Sequence, residues 1–123
     1  MITKQDILMG RDAEYPLTQA LHANLDTLLM RLNTLESICP FPLIITSGYR
    51  PGRFNRAAHG AKSSAHLTCE AADIKDIDQN LRKWISYDKL QDVDLYLESP
   101  DFTPTWIHLQ TRRTKSGNRI FSP

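Results

Sequence analysis

The stretch Ser64-Ala65-His66-Leu67-Thr68-Cys69-Glu70-Ala71-Ala72-Asp73-Ile74 places a histidine and an aspartate with six residues between them, the aspartate inside a short β-prone run, Ala71 to Ile74. The segment before it, Pro51 to Ser64, is rich in Gly, Arg, Asn, Ser and Ala and has no period, so it reads as a long loop holding at most one helical turn. Long ordered loops in small domains often carry function. Far downstream, a second histidine stands in Thr105-Trp106-Ile107-His108-Leu109. His66, Asp73 and His108 suit a zinc ion: two imidazoles and one carboxylate leave a fourth position open, as a catalytic rather than a structural site requires. Spacing alone also fits ordinary hydrogen-bonded histidines.

Upstream of the loop, Leu43 to Thr46 form a second β-prone run, closed by Ser47 and Gly48, which delivers Tyr49 and Arg50 at its end. Before it, Leu17, Leu21, Leu25, Leu28, Leu32 and Leu35 recur every three or four residues, which predicts an amphipathic helix from Leu17 to Ile38. Thr18 is placed to cap its start, and Pro40 and Pro42 end it. Downstream, Asp76 or Asp78 is placed to cap a short helix burying Ile77, Leu81, Trp84 and Ile85.

Two alternating runs follow. Leu95 and Leu97 alternate with Asp94, Tyr96 and Glu98, while Ile107 and Leu109 alternate with Trp106, His108 and Gln110. The apolar sides pack on helices, which leaves Glu98, His108 and Gln110 together on the more open face. Ser99 to Thr105 reads as a hairpin loop. Thr111 to Pro123, with a turn at Ser116-Gly117-Asn118, reads as a loosely held tail.

The chain has 123 residues, of which 41% are hydrophobic, enough for one domain over 1–123 with its core at about 17–110 and its tail at 111–123. A formal charge of +1 with dispersed cations argues against nucleic acid as partner. Met1 to Gly10 shows neither a signal peptide nor a membrane span, so cytoplasmic synthesis without membrane insertion is expected. Cys39 and Cys69 are too few to mark a disulfide scaffold and serve either as one pair or as reduced thiols.

Four blocks in order, Ser47-Gly48-Tyr49-Arg50 with Asn55, Ser64-Ala65-His66-Leu67, Ala71-Ala72-Asp73-Ile74 and Trp106-Ile107-His108, resemble the zinc peptidases of the D-alanyl-D-alanine carboxypeptidase and L-alanyl-D-glutamate endopeptidase family. That family shares the fold of the hedgehog signalling domain and includes small phage-encoded lytic enzymes. The resemblance covers roughly Leu21 to Gln110. It implies an α+β fold, a small, mostly antiparallel sheet flanked by helices with a zinc cleft on the open face. It also implies His66, Asp73 and His108 as zinc ligands and Arg50 beside the substrate, where a guanidinium clamps a carboxylate or steadies a carbonyl oxygen gaining charge. Ser64 matches a serine that braces the ligand loop, although a plain turn role serves equally.

A peptidase of this kind needs a base that takes the proton of the attacking water and passes it to the leaving amine. Some relatives carry an acid three residues before the last histidine, where this chain has Thr105. Glu98, at the end of the preceding strand, matches the glutamate of another branch, and Asp101 is the alternative. Relatives commonly carry glycine in the stretch where Cys69 stands, and a thiolate there raises a competing ligand set of His66, Cys69 and His108. Tyr49 and Trp106 flank the site and either contact substrate or simply pack. Gln110 hydrogen-bonds a ligand histidine or the substrate, His59 lines the groove or is a plain loop residue, and His22 is a surface residue.

The resulting expectation is a monomeric zinc peptidase acting on peptidoglycan stem peptides, a phage lysis enzyme released to the cell wall or periplasm. A catalytically silent zinc- or peptidoglycan-binding module and a cytosolic D-alanyl-D-alanine dipeptidase are the alternatives. Because ligation needs neutral imidazoles, activity is expected to fall below about pH 6.

Overall fold

A computed structural model describes all residues, 1–123. In chain order the elements are α1 (Lys4–Leu8), α2 (Gln19–Ile38), β1 (Ile45–Ser47), α3 (Gly52–Ala57), β2 (Ala71–Lys75), α4 (Asn80–Trp84), α5 (Tyr87–Val93), β3 (Tyr96–Glu98), β4 (Trp106–Gln110) and β5 (Ile120–Phe121). The strands form one sheet in the order β1-β2-β4-β3-β5, antiparallel except for β3 with β5. The fold is α+β with a mostly antiparallel sheet, as the resemblance implies.

The helix α2 starts at Thr18, whose hydroxyl accepts the amide proton of Leu21, and ends where the Cys39 amide bonds back to Leu35 and Glu36. Leu25, Leu28, Leu32 and Leu35 are fully buried on its inner stripe, whereas Leu17 and Leu21 are only half-buried. Truncating one of the buried leucines to alanine costs about 2–5 kcal/mol, through lost transfer energy and the cavity left behind.

Four expectations need correction. Ile77, expected in the core, is 65% exposed, because it lies in the turn before α4 rather than on its inner face. The residue at the α4 cap position is Gln79, yet both aspartates serve the free amides: Asp78 accepts that of Asn80 at 3.1 Å, and the buried Asp76 carboxylate those of Leu81 at 2.9 Å and Arg82 at 3.2 Å. Pro51 to Ser64 contains the six-residue helix α3 instead of a single turn.

The last correction concerns the chain ends. Residues before Leu17 belong to the core: Ile2, Ile7 and Leu8 are buried, and α1 is closed by a capping box between Thr3 and Asp6. After Gln110 the chain is not a loose tail. It folds back as β5 and pairs in parallel with β3, Leu97 opposite Ile120 and Glu98 opposite Phe121.

Register decides what the middle of the sheet presents. In the β2–β4 ladder Asp73 stands directly opposite His108, and in the β1–β2 ladder Ser47 stands opposite Asp73. The two residues after Ser47 then pass very close to α1. The Tyr49 amide donates to the Ile7 carbonyl at 2.8 Å, and a Cβ on Gly48 would sit 2.3 Å from that oxygen, so only glycine fits.

Candidate metal centre

His66 is set by the turn before β2. Ser64 begins a short 3₁₀ turn, Ala65–Thr68, and its Oγ accepts the His66 amide proton at 3.2 Å. The His66 carbonyl in turn accepts the Arg50 amide at 3.0 Å, which ties the ligand turn to the end of β1. The ring is 2% exposed; its Nδ1 donates to the Gly48 carbonyl at 2.9 Å, so Nε2 faces Asp73 Oδ1 at 3.2 Å.

Asp73 arrives from β2 and His108 from β4, brought face to face by the ladder. His108 Nδ1 is 3.1 Å from the same Asp73 oxygen, and its Nε2 donates to Gln110 Oε1 at 2.8 Å. The Gln110 amide nitrogen donates to the Arg112 carbonyl at 2.9 Å, which leaves its oxygen toward the histidine. One ligand atom from each of the three residues lies within 4.8 Å of the others.

These hydrogen bonds test whether a metal fits. Each imidazole has its outer nitrogen's proton committed to a protein acceptor, so each neutral ring turns a lone pair inward. With both rings neutral, two lone pairs and a carboxylate oxygen thus converge, an arrangement that a small cation satisfies; without one, protons on the inner nitrogens bridge to Asp73 instead. The donor set of two nitrogens and one oxygen is that of a zinc site with an open position.

Without a metal, the same convergence shifts the titration of the site. Burial favours the neutral acid at Asp73, but hydrogen bonds from His108 and His66 outweigh it and hold the carboxyl well below the usual carboxylate range. Burial likewise resists charge on His108, yet Asp73, with Gln110 and Glu98 behind it, pushes that imidazole above its ordinary value.

The competing set through Cys69 does not form. Cys69 is fully buried within the apolar core, outside the ligand cluster, and burial followed by the charge of Glu70 pushes its thiol up to about 12. Its φ is 59°, in the left-handed region, which accounts for glycine suiting this place.

The metal cluster opens on a cleft of about 770 Å³ lined by Ser64, Glu98, His108 and Gln110 together with residues 112–116 and 120–123. Asp101 sits exposed on the turn Pro100–Phe102 and does not line it. Neither do His59, His22 or Trp106. Tyr49 must be corrected: it is 3% exposed, with its hydroxyl donating to the Tyr15 carbonyl at 3.1 Å, so it packs the core and cannot touch substrate. Arg50 also does not line the cleft; its Nε is held by Asn55 Oδ1 at 3.1 Å, and its terminal nitrogens are uncommitted.

Arg112 and Phe121 escaped the sequence reading. Arg112 bonds Glu70, Thr68 and the Ser63 carbonyl, clamping the ligand turn from the other side. Phe121 sets the edge of its ring against His108 at 6.3 Å between centroids. A basic residue two positions past Gln110 was the available signal for Arg112; Phe121 gave none.

A family model for peptidase M15 matches residues 5–110, which contain all three ligands. The chain belongs to the peptidase M15 family. Peptidase M15 is a family of zinc-dependent D-Ala-D-Ala carboxypeptidases, and His66, Asp73 and His108 are the group that could hold the metal. No curated protein matches the chain. The M15 match ends at Gln110, so the part of the cleft wall built by residues 112–123 lies beyond what the family model describes.

Proposed function

We propose that this M15 peptidase hydrolyses peptide bonds in peptidoglycan stem peptides, as a D,D-carboxypeptidase or as an L-Ala-D-Glu or D,D-endopeptidase. The observation that carries the reading is the convergence of His66, Asp73 and His108, with His108 and Glu98 lining one open cleft.

Bound zinc supplies Lewis acidity that polarises the scissile carbonyl and makes water nucleophilic near neutral pH. The chain's own groups do the rest. Gly48 and Gln110 keep His66 and His108 in the ligating tautomers. Glu98, on the cleft wall at the end of β3, accepts the proton of the attacking water and returns it to the departing amine. The free terminal nitrogens of Arg50 clamp a substrate carboxylate or the carbonyl oxygen as it gains charge, and Ser64 holds the ligand turn in place.

A role as a monomeric phage lysis enzyme, made in the cytoplasm and acting on the wall once the membrane is breached, extends this reading. It is supported by the resemblance to small phage-encoded lytic enzymes. No helix is long and apolar enough to cross a membrane.

Digestion of purified peptidoglycan with the zinc-loaded protein, followed by mass spectrometry, tests the proposal. Stem-peptide fragments that disappear when zinc is chelated are expected, and their masses name the bond. No release from any wall type would reduce the domain to a binding module.

A further inference from the structure

The wall that residues 112–123 give the cleft is firmly built. The Leu97 amide donates to the Arg119 carbonyl at 2.6 Å and the Ser99 amide to the Phe121 carbonyl at 2.6 Å, so both ends of β5 are stitched to β3. Arg119 also binds Asp94 at 2.7 Å and lies over the Tyr96 ring at 4.3 Å. The turn before β5 is closed by Thr114 Oγ1 donating to the Asn118 carbonyl at 2.8 Å, with Gly117 at φ 80°. The backbone of this segment is therefore fixed beside the cleft.

Arg113 and Lys115 of this segment line the cleft. The neighbouring carboxylates are already engaged, Glu70 by Arg112 and Asp94 by both Arg31 and Arg119. Neither Arg113 nor Lys115 makes an ion pair, although Arg113 also borders Asp94 and its charge helps hold that carboxyl down, and Glu98 is the one acidic side chain lining the cleft. A concave surface focuses the field of such cations onto whatever enters. Buried or paired, they would be scaffold; free and facing the cleft, they are ready to receive an anion.

We propose that Arg113 and Lys115 form an anion subsite that selects peptides bearing a free carboxylate near the scissile bond over their amidated counterparts. This rests on the cleft being a peptide-binding site, and it goes further by naming what the substrate must carry. The subsite lies past the residues the M15 family model matches.

The probe is a synthetic stem peptide containing D-glutamate, compared with the same peptide containing D-isoglutamine. Affinity for zinc-loaded protein is measured by calorimetry in a Glu98→Gln background, which prevents turnover, with and without Arg113→Ala plus Lys115→Ala. The carboxylate peptide is expected to bind about fivefold to tenfold more tightly at low salt. That preference should shrink at high salt and vanish in the double variant, whose zinc content and melting temperature stay unchanged. Equal affinity for the two peptides, binding of neither, or a preference that survives loss of both cations overturns the subsite. If the preference holds while the protein with Glu98 intact cleaves neither peptide, the hydrolytic reading fails and the subsite stands.

Discussion

Gln110 takes the Nε2 proton of His108 at 2.8 Å while its own amide is anchored on the Arg112 carbonyl at 2.9 Å, so the ligand ring is oriented by a side chain that cannot itself rotate freely. Replacing it tests the outer layer of the metal centre. Gln110→Ala should weaken zinc binding about 10–100-fold, and Gln110→Glu, which keeps an acceptor, should lose much less. Competition against a coloured chelator reads this directly; identical affinities in all three proteins would remove Gln110 from the site.

Glu98→Gln separates proton transfer from metal binding. The amide keeps the shape but cannot accept a proton, so kcat should drop about 10²–10⁴-fold at unchanged zinc content. Asp101→Asn should leave kcat as it was, because Asp101 is exposed and does not line the cleft. A reversal of these two results would move the base from β3 to the following turn.

Acidity acts on the metal-free centre in two opposite senses. Asp73 is held below the usual carboxylate range, so its contribution to stability is present above the unfolded value of about 3.9 and is lost as pH falls. His108 is pushed above about 6.5, so its contribution is complete below that value and is lost as pH rises through the folded pKa. Without metal these two groups support the fold best between the two values. Zinc must displace the proton from His108, so the rise in Tm on adding zinc should grow from about pH 5.5 to about pH 8. Scanning fluorimetry with and without zinc checks it, and a pH-independent rise would contradict the assignment of His108.

Cys69 offers an inverted mutational order. Removing its buried thiol costs packing, but its φ of 59° is strained for any side chain and free for glycine. Cys69→Gly should therefore be about 0.5–1 kcal/mol more stable than Cys69→Ala, although it removes more atoms. Urea denaturation decides; alanine proving the better replacement would mean that packing governs this position.

Much of this is legible in the sequence. The leucine period of α2 is intrinsic to one helix face, and Thr18 sits where a cap must. The ligands were legible because two histidines and an aspartate are few, chemically specific and set in four ordered blocks. The alternation in β3 and β4 placed Glu98, His108 and Gln110 together, as the shared cleft shows. What failed depends on distant partners. Tyr49 looks like a site residue beside Arg50, but its fate is set by Ile7 and Tyr15, far away in sequence. A five-residue helix such as α1 and a two-residue strand such as β5 have no periodicity of their own; they exist because the core and β3 receive them.

The three ligands come from β2, β4 and the turn leading into β2, near the centre of the sheet, whereas Arg113, Lys115 and Phe121 come from the stretch that ends in its outermost, two-residue strand. If both proposals hold, grip on the metal and choice of peptide fall to separate pieces of the polypeptide. Diet can be rewritten at the periphery, by swapping a dozen or so residues there, while the catalytic heart stays as it is.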